Sequence, residues 1–294
     1  MIDTKDTVLL LLIQAMRAYT RLAPFERGRF RLTSLLYRIT KQLRNEHRLI
    51  ITARDGRRFS INPSDPQYHM GLLDRGIFEP EETQAVRNSV CAGQVAIDAG
   101  ANYGWYTTLL SRLVGPSGSV HAFEAMPSTA GTLRNNCALN GCTNVIVNQC
   151  ALGDRVGTTV IYDHPGGASG DASLFPLARG SGQRFSCEMQ TLDHYFMQTG
   201  LSRCDFIKCD IEGAELLFLK GAHNVLKQYQ PTILLEINPW VLQRSGTGGV
   251  QILEEIRQHG HYLFLHPVST RSNSIEPSDC KELQSYINVL CQVH

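Results

Sequence analysis

The stretch VAIDAGANYG, residues 95–104, constrains the fold more than any other part of the chain. A short apolar run ends in Asp98, a turn carrying Gly100, Asn102 and Gly104 follows, and helical spacing resumes behind it. Glycines let a backbone turn sharply and approach a ligand, and a helix amino end presents N–H groups that lack intrahelical partners. This is the grammar of the first βα unit in a nucleotide-binding sheet. The spacing is not that of a dinucleotide fingerprint, because G-x-G-x-x-G requires a glycine where Trp105 stands. A cofactor with one nucleoside and a short arm needs no such close backbone approach at that place.

Strand and helix patterns alternate after this unit. Strands are expected at residues 94–98, 119–123, 145–150, 205–210, 232–237 and 262–266, with a last one at 286–293. Helices are expected from the Glu79-Pro80 step to about residue 90, over 128–139 behind Pro127, and over 248–259. Such alternation predicts an α/β fold, a mainly parallel central sheet with helices on both faces. A chain of 294 residues with 43% hydrophobic content can bury one large core of this kind. Residues 156–189 interrupt the alternation with strands at 158–162 and 184–189 around a Gly-, Ser- and Asp-rich loop, and a loop that long covers a site or is disordered. Before the alternation, residues 7–43 carry helical periodicity broken at Ala23-Pro24, which predicts two helices. Residues 49–53 and 58–61 flank Asp55-Gly56, which predicts a hairpin. The division expected is an amino-terminal appendage of residues 1–67 and a main domain of residues 68–294.

Charge is balanced overall at +1 but unevenly placed. Between Arg17 and Arg58 twelve arginines and lysines face only Glu26, Glu46 and Asp55, leaving the remainder acidic. That asymmetry fits either a solvated helical face or a peripheral contact with a membrane. Aromatic residues do not interleave with the arginines, which argues against nucleic acid. The apolar run at residues 8–13 is too short to span a bilayer, and Asp3 and Asp6 spoil a signal-peptide start, so a cytoplasmic protein is expected. The apolar face of residues 8–16 also offers a surface on which two copies could pair. Nine cysteines are an odd number, and neither Cys137 with Cys142 nor Cys204 with Cys209 has zinc-ligand spacing, so reduced thiols are expected.

Ligands of open α/β sheets sit beyond the carboxyl ends of the strands, and acids stand at four of these ends. Asp98 ends the first strand, with a helix cap or turn brace as its structural alternative. Glu124 ends the second, where a carboxylate can hold both hydroxyls of a ribose. Lys208, Asp210 and Glu212 alternate at the fourth, so period two would throw them to one side if the strand continued that far. Acids and a lysine within hydrogen-bond reach of a bound group can move its proton, which nominates this cluster as catalytic, against a structural ion network. His194 is a further candidate base, although it stands at a helix start where a capping role competes; His164 in the flexible loop is weaker. Glu215 suits the electrostatics of a helix amino end. Asp210 with Glu236 and Asn238 at the fifth strand end forms a candidate oxygen set for a divalent metal.

The set VAIDAGANYGWYTTLL, VHAFEAMP, NQCALGD, TLDHY, DFIKCDIEGAELLFLKGA and ILLEINP resembles the FkbM-type family of S-adenosylmethionine-dependent methyltransferases. The resemblance covers about residues 79–239, and D-x-G-A-N-x-G together with K-x-D-x-E-G-x-E is far more specific than either motif alone. It implies a Rossmann-like class I methyltransferase fold and cofactor binding through Asp98, Gly100, Ala101, Asn102, Gly104 and Glu124, with Ala151 and Leu152 near the adenine. One proline of the usual pair after the ribose acid is replaced by Ala125. The acceptor implied is a hydroxyl of a small molecule, sugar or lipid. Competing readings are a nicotinamide-dependent dehydrogenase and a non-catalytic scaffold that binds a membrane or a partner through the basic region.

Overall fold

Continuous burial along the core strands decides the architecture, because a strand buried at every position must be covered on both faces. The computed structural model describes residues 4–22, 48–63, 65, 68–163, 172–176, 183–267 and 274–293, with residues 31, 34, 35 and 38 besides. In chain order, α1 (Thr4–Leu22) precedes an antiparallel hairpin of β1 (Leu49–Thr52) and β2 (Arg58–Ile61), and a π-helical turn at His69–Leu73 leads to α2 (Pro80–Ser89). Then come β3 (Val95–Ala99), α3 (Trp105–Val114), β4 (Ser119–Phe123), α4 (Pro127–Leu139) and β5 (Val145–Asn148). An insertion follows, made of β6 (Ala151–Leu152), β7 (Gly157–Asp163) and β8 (Gln183–Gln190). The chain continues as α5 (Leu192–Thr199), β9 (Phe206–Cys209), α6 (Glu215–Gly221), α7 (His223–Tyr229) and β10 (Thr232–Ile237). It ends with α8 (Pro239–Ser245), α9 (Gly249–Arg257), β11 (Tyr262–Leu265) and β12 (Ile287–Val293).

The main sheet has the order β11-β12-β10-β9-β3-β4-β5. Only β12 runs against its neighbours; the other pairings are parallel. This is a doubly wound, Rossmann-like arrangement, as the resemblance implies. The order reverses between β3 and β9, so a crevice opens beyond their carboxyl ends. Alternation along the strands feeds two cores. Ile97, Ala99, Ile207 and Leu235 face one, with Phe218, Leu226 and Ile252. Ala96, Phe206 and Leu234 face the other, with Val86, Leu109 and Leu110. The second core also takes Leu9, Ile13 and Met16 of α1 and Ile51, Phe59 and Ile61 of the hairpin.

Two differences from the sequence reading concern this layout. The third core strand stops at Asn148 because Ala151 and Leu152 leave the main sheet to pair with Met189 and Gln190. In the amino-terminal region α1 is a docked helix, whereas most of the second expected helix lies outside the described residues. Some of the basic run is structural rather than solvated. Arg57 is fully buried, its guanidinium 4.1 Å from the Trp105 ring, and it bonds Asp55 at 2.9 Å, Thr108 Oγ1 at 2.9 Å and the Trp105 carbonyl. Trp105 stacks on Phe59 with ring centroids 5.4 Å apart. The position a dinucleotide site reserves for glycine is therefore filled by an indole that ties the hairpin to α3.

Candidate active site

The turn after β3 has φ of +80° at Gly100, +49° at Asn102 and +94° at Gly104. A Cβ on Gly100 would lie 1.8 Å from the Asp210 carbonyl oxygen, and one on Gly104 would lie 2.7 Å from Leu133 Cδ1. Glycine at residue 100 thus lets the ends of β3 and β9 touch. Four N–H groups of this turn bond within the protein. Gly100 and Ala101 donate to the Phe123 carbonyl at 3.0 and 2.9 Å, Gly104 donates to Ala101, and Asn102 donates to Glu124 Oε2 at 2.9 Å. These bonds make the turn a preformed wall.

Beyond the switch point lies a cavity of about 230 Å³. Gly100, Ala101, Asn102, Glu124, Ala151 and Leu152 line it on the side of β3, β4 and β6. Asp98 and Gly104 do not. Asp98 is buried and accepts a hydrogen bond from the Thr107 hydroxyl at 2.5 Å, bracing β3 against α3. Burial lifts its pKa to about 6, against the Thr107 bond and the charge of Lys208 opposite it in register. Glu124 accepts from the N–H groups of Asn102 and Met126, both at 2.9 Å. Its desolvation outweighs these donors and lifts it to about 7.

Lys208, Asp210, Glu212 and Glu236 line the opposite side with Glu79 and Tyr106. Lys208 is buried, with Nζ 3.4 Å from Asp210 Oδ2 and 5.3 Å from the centre of the Tyr106 ring. Burial opposes its charge, but Asp210, Glu79 and Glu236 outweigh that cost and hold the ammonium above its ordinary pKa. Glu79 Oε2 accepts the Tyr106 hydroxyl at 2.5 Å. Burial raises Glu79 to about 7, opposed by Lys208 and supported by Asp210. Glu236 is pushed well above the carboxylate range by burial and by Asp210. The strand stops at Cys209, so Glu212 reaches the cavity through a turn with φ of +52° rather than by strand alternation. Glu79, Asn102 and Glu212, all lining residues, are three of the four non-glycine residues with positive φ among those described. Strain of this kind concentrates where a surrounding structure over-determines a site.

Several predicted residues are not gathered here. His194 lies in the first turn of α5, where its N–H bonds the Thr191 hydroxyl at 3.0 Å, and it does not line the cavity. Glu215 accepts the N–H groups of Ile211 and Gly213 at the start of α6, as expected for a helix amino end. Asn238 caps α8, donates to Glu236 at 3.2 Å and is not a lining residue. Among the described residues no group of three His, Cys, Asp or Glu is placed to hold a metal, and of the candidate set only Asp210 and Glu236 line the cavity. Lys208 supplies the cation these carboxylates face. His164 lies outside the described residues. Sequence reasoning missed Glu79 and Tyr106, whose only signal was an acid before a helix-starting proline. The cover expected of the insertion is supplied by residues the sequence did not single out: Ile161, Ala172 and Leu174 line the cavity, and Ser173 donates to the Glu212 carbonyl at 2.6 Å.

A family model for the methyltransferase FkbM domain matches residues 98–263, more than half of the chain. The chain belongs to this family. Among curated proteins it is 26% identical over 143 residues to Methyltransferase 1 of Beauveria bassiana, covering 42% of this chain and 57% of that protein. It is 29% identical over 154 residues to Methyltransferase sdnD of Sordaria araneosa, covering 42% of this chain and 59% of that protein. The chain thus spans under two thirds of the length of either relative. A solved FkbM methyltransferase from Methylobacillus flagellatus KT superposes with a TM-score of 0.43 at 18% identity, covering 67% of this chain and 43% of that one. Both motifs that carry the FkbM resemblance, at residues 98–104 and 208–215, fall inside the matched span and meet where Gly100 approaches Asp210.

Proposed function

We propose that the protein transfers the methyl group of S-adenosylmethionine to a hydroxyl oxygen of a small acceptor held in the cavity. The observation that carries this reading is one cavity at the switch point of an FkbM-family sheet, walled by the glycine turn and Glu124 on one side and by acids around a buried lysine on the other. When bound, the cofactor supplies a sulfonium methyl group, and transfer is an in-line displacement that asks mainly for alignment and exclusion of water. The residues present suit it. Gly100 keeps the wall close where a side chain would fill it, and Glu124 retains acceptor capacity for two ribose hydroxyls after its bonds to Asn102 and Met126. Ala151 and Leu152 offer an apolar surface to a flat base.

On the acceptor side, Glu79 takes the hydroxyl proton, since a carboxylate lifted to about 7 is matched to proton transfer near neutral pH. Tyr106 orients Glu79, Lys208 favours its ionised form before it takes the proton, and Asp210 and Glu236 hold Lys208 charged. Glu212 and the insertion residues Ala172 and Leu174 close the cavity and keep water away. Calorimetry with S-adenosylhomocysteine tests the cofactor half of this reading. Binding is expected, falling as pH drops through about 7 when Glu124 protonates. Glu124→Gln should bind at least about tenfold more weakly and lose that pH dependence. Absence of binding by the wild type, or equal binding by the variant, defeats the proposal.

A further inference from the structure

We propose that the outer face of α1 lies on an anionic membrane surface. Residues 8–13 of the helix are apolar without interruption, so this stretch carries apolar side chains on both its inner and its outer side. Its inner stripe, Leu9, Ile13 and Met16, is buried in the core shared with the hairpin and α3. Arg17 fixes this orientation, bonding the carbonyls of Leu73 at 3.2 Å and Thr52 at 2.7 Å as well as that of Leu72. The opposite stripe points outward. Val8, Leu11 and Leu12 are 52%, 59% and 42% exposed, and Ala15, Ala18 and Tyr19 continue the same face, interrupted only by Gln14. No described helix is long and apolar enough to cross a membrane, so the helix would lie on the surface rather than span it.

Charge selects the occupant. Among the described residues of the basic segment that follows α1, Arg31, Arg38, Arg48, Arg54 and Arg58 are exposed, whereas Arg17 and Arg57 turn into the protein. Two copies meeting through α1 would bring two such basic segments together and repel. An anionic bilayer attracts them while it buries Leu11 and Leu12, which pairs the two signals that reversible membrane binding requires. Tyr19, with an apolar ring and a polar tip, suits the headgroup level.

The test uses the full chain and vesicles of phosphatidylcholine with or without phosphatidylserine. The protein is expected to sediment with the anionic vesicles and to release by about tenfold or more in high salt, as screening weakens surface charge. Leu11→Glu with Leu12→Glu, both on the exposed face, should abolish sedimentation without lowering Tm. A tryptophan placed by Tyr19→Trp should be quenched by lipids brominated along the acyl chain, which reads the contact without disturbing the apolar stripe. Equal sedimentation with neutral vesicles, an unquenched tryptophan, or a dimer in sedimentation velocity that the double variant dissociates each overturns the proposal. The last outcome would assign the face to a second copy, and an unquenched tryptophan would assign it to protein.

Discussion

Glu79 stands in the left-handed region at φ of +42°, immediately before a proline, and still directs its carboxylate onto Tyr106 inside the cavity. A side chain held that way at a backbone cost of about 1–3 kcal/mol is kept by its surroundings. If it is the base, the rate of methyl transfer should fall off below about pH 7, where Glu79 protonates. Glu79→Gln should lower kcat by about 10²-fold or more and remove this fall-off from the residual rate. Tyr106→Phe removes a donor that favours the ionised carboxylate, so its fall-off should move to higher pH. The check is the pH profile of kcat/KM for radiolabelled methyl transfer to an acceptor found by screening hydroxylated compounds. An unshifted profile for Tyr106→Phe would separate Glu79 from the reaction. Neither residue was legible as functional, because they come from different elements and meet only after α2 packs on α3. Lys208, Asp210 and Glu212 were legible, because one strand end carries them in sequence.

At the scale of elements, turn chemistry and anchoring contacts differ in what they tolerate. Gly100 and Gly56 have nearly equal φ, +80° and +82°, but a Cβ on Gly56 meets nothing within 4 Å. Gly56→Ala should therefore cost only about 1 kcal/mol of backbone strain. Gly100→Ala must also push β3 from β9 and should cost several times as much, together with the ability to bind S-adenosylhomocysteine. Chemical denaturation of both variants measures the contrast, and equal losses would refute the close approach. The hairpin depends instead on Arg57. Arg57→Ala leaves the Trp105 carbonyl without its buried partner and Asp55 with Arg87 alone, and should cost about 1–3 kcal/mol. Arg57→Lys should recover part of that stability, since it keeps the charge but not the fork. The hairpin, the parallel strands and the helix starts were readable from turn residues and apolar runs, because local backbone chemistry specifies them. The departure of residues 151–152 from the main sheet was not, since it depends on a partner strand almost forty residues away. The inward role of Arg57 was equally hidden, because burial of an arginine is decided by the indole and carbonyls that only the folded chain brings to it.

Across the whole molecule, the ends of β3 and β4 and the starts of α2 and α6 gather carboxyl groups whose pKa burial raises. Glu79, Glu124 and Glu215 are each raised to about 7 and Asp98 to about 6. A carboxyl whose folded pKa exceeds its unfolded value binds protons more tightly in the native state. Stability is then lost as pH rises from the unfolded value through the folded one. His121 works in the opposite direction, since burial lowers it to about 4, and its contribution is complete above its unfolded pKa of 6.5. From about pH 6.5 to pH 8 these carboxyl groups govern the slope, so Tm should fall over that interval. Glu215 isolates the effect, because it is buried and its Oε1 accepts two backbone N–H groups that a glutamine oxygen accepts equally well. Glu215→Gln should match the wild type near pH 4.5 and exceed it near pH 8 by up to about 3 kcal/mol, one pKa unit being about 1.4 kcal/mol. Thermal unfolding at the two pH values decides the matter. A variant less stable than the wild type at the higher pH would mean that the ionised carboxylate, not its neutral form, is what the start of α6 favours.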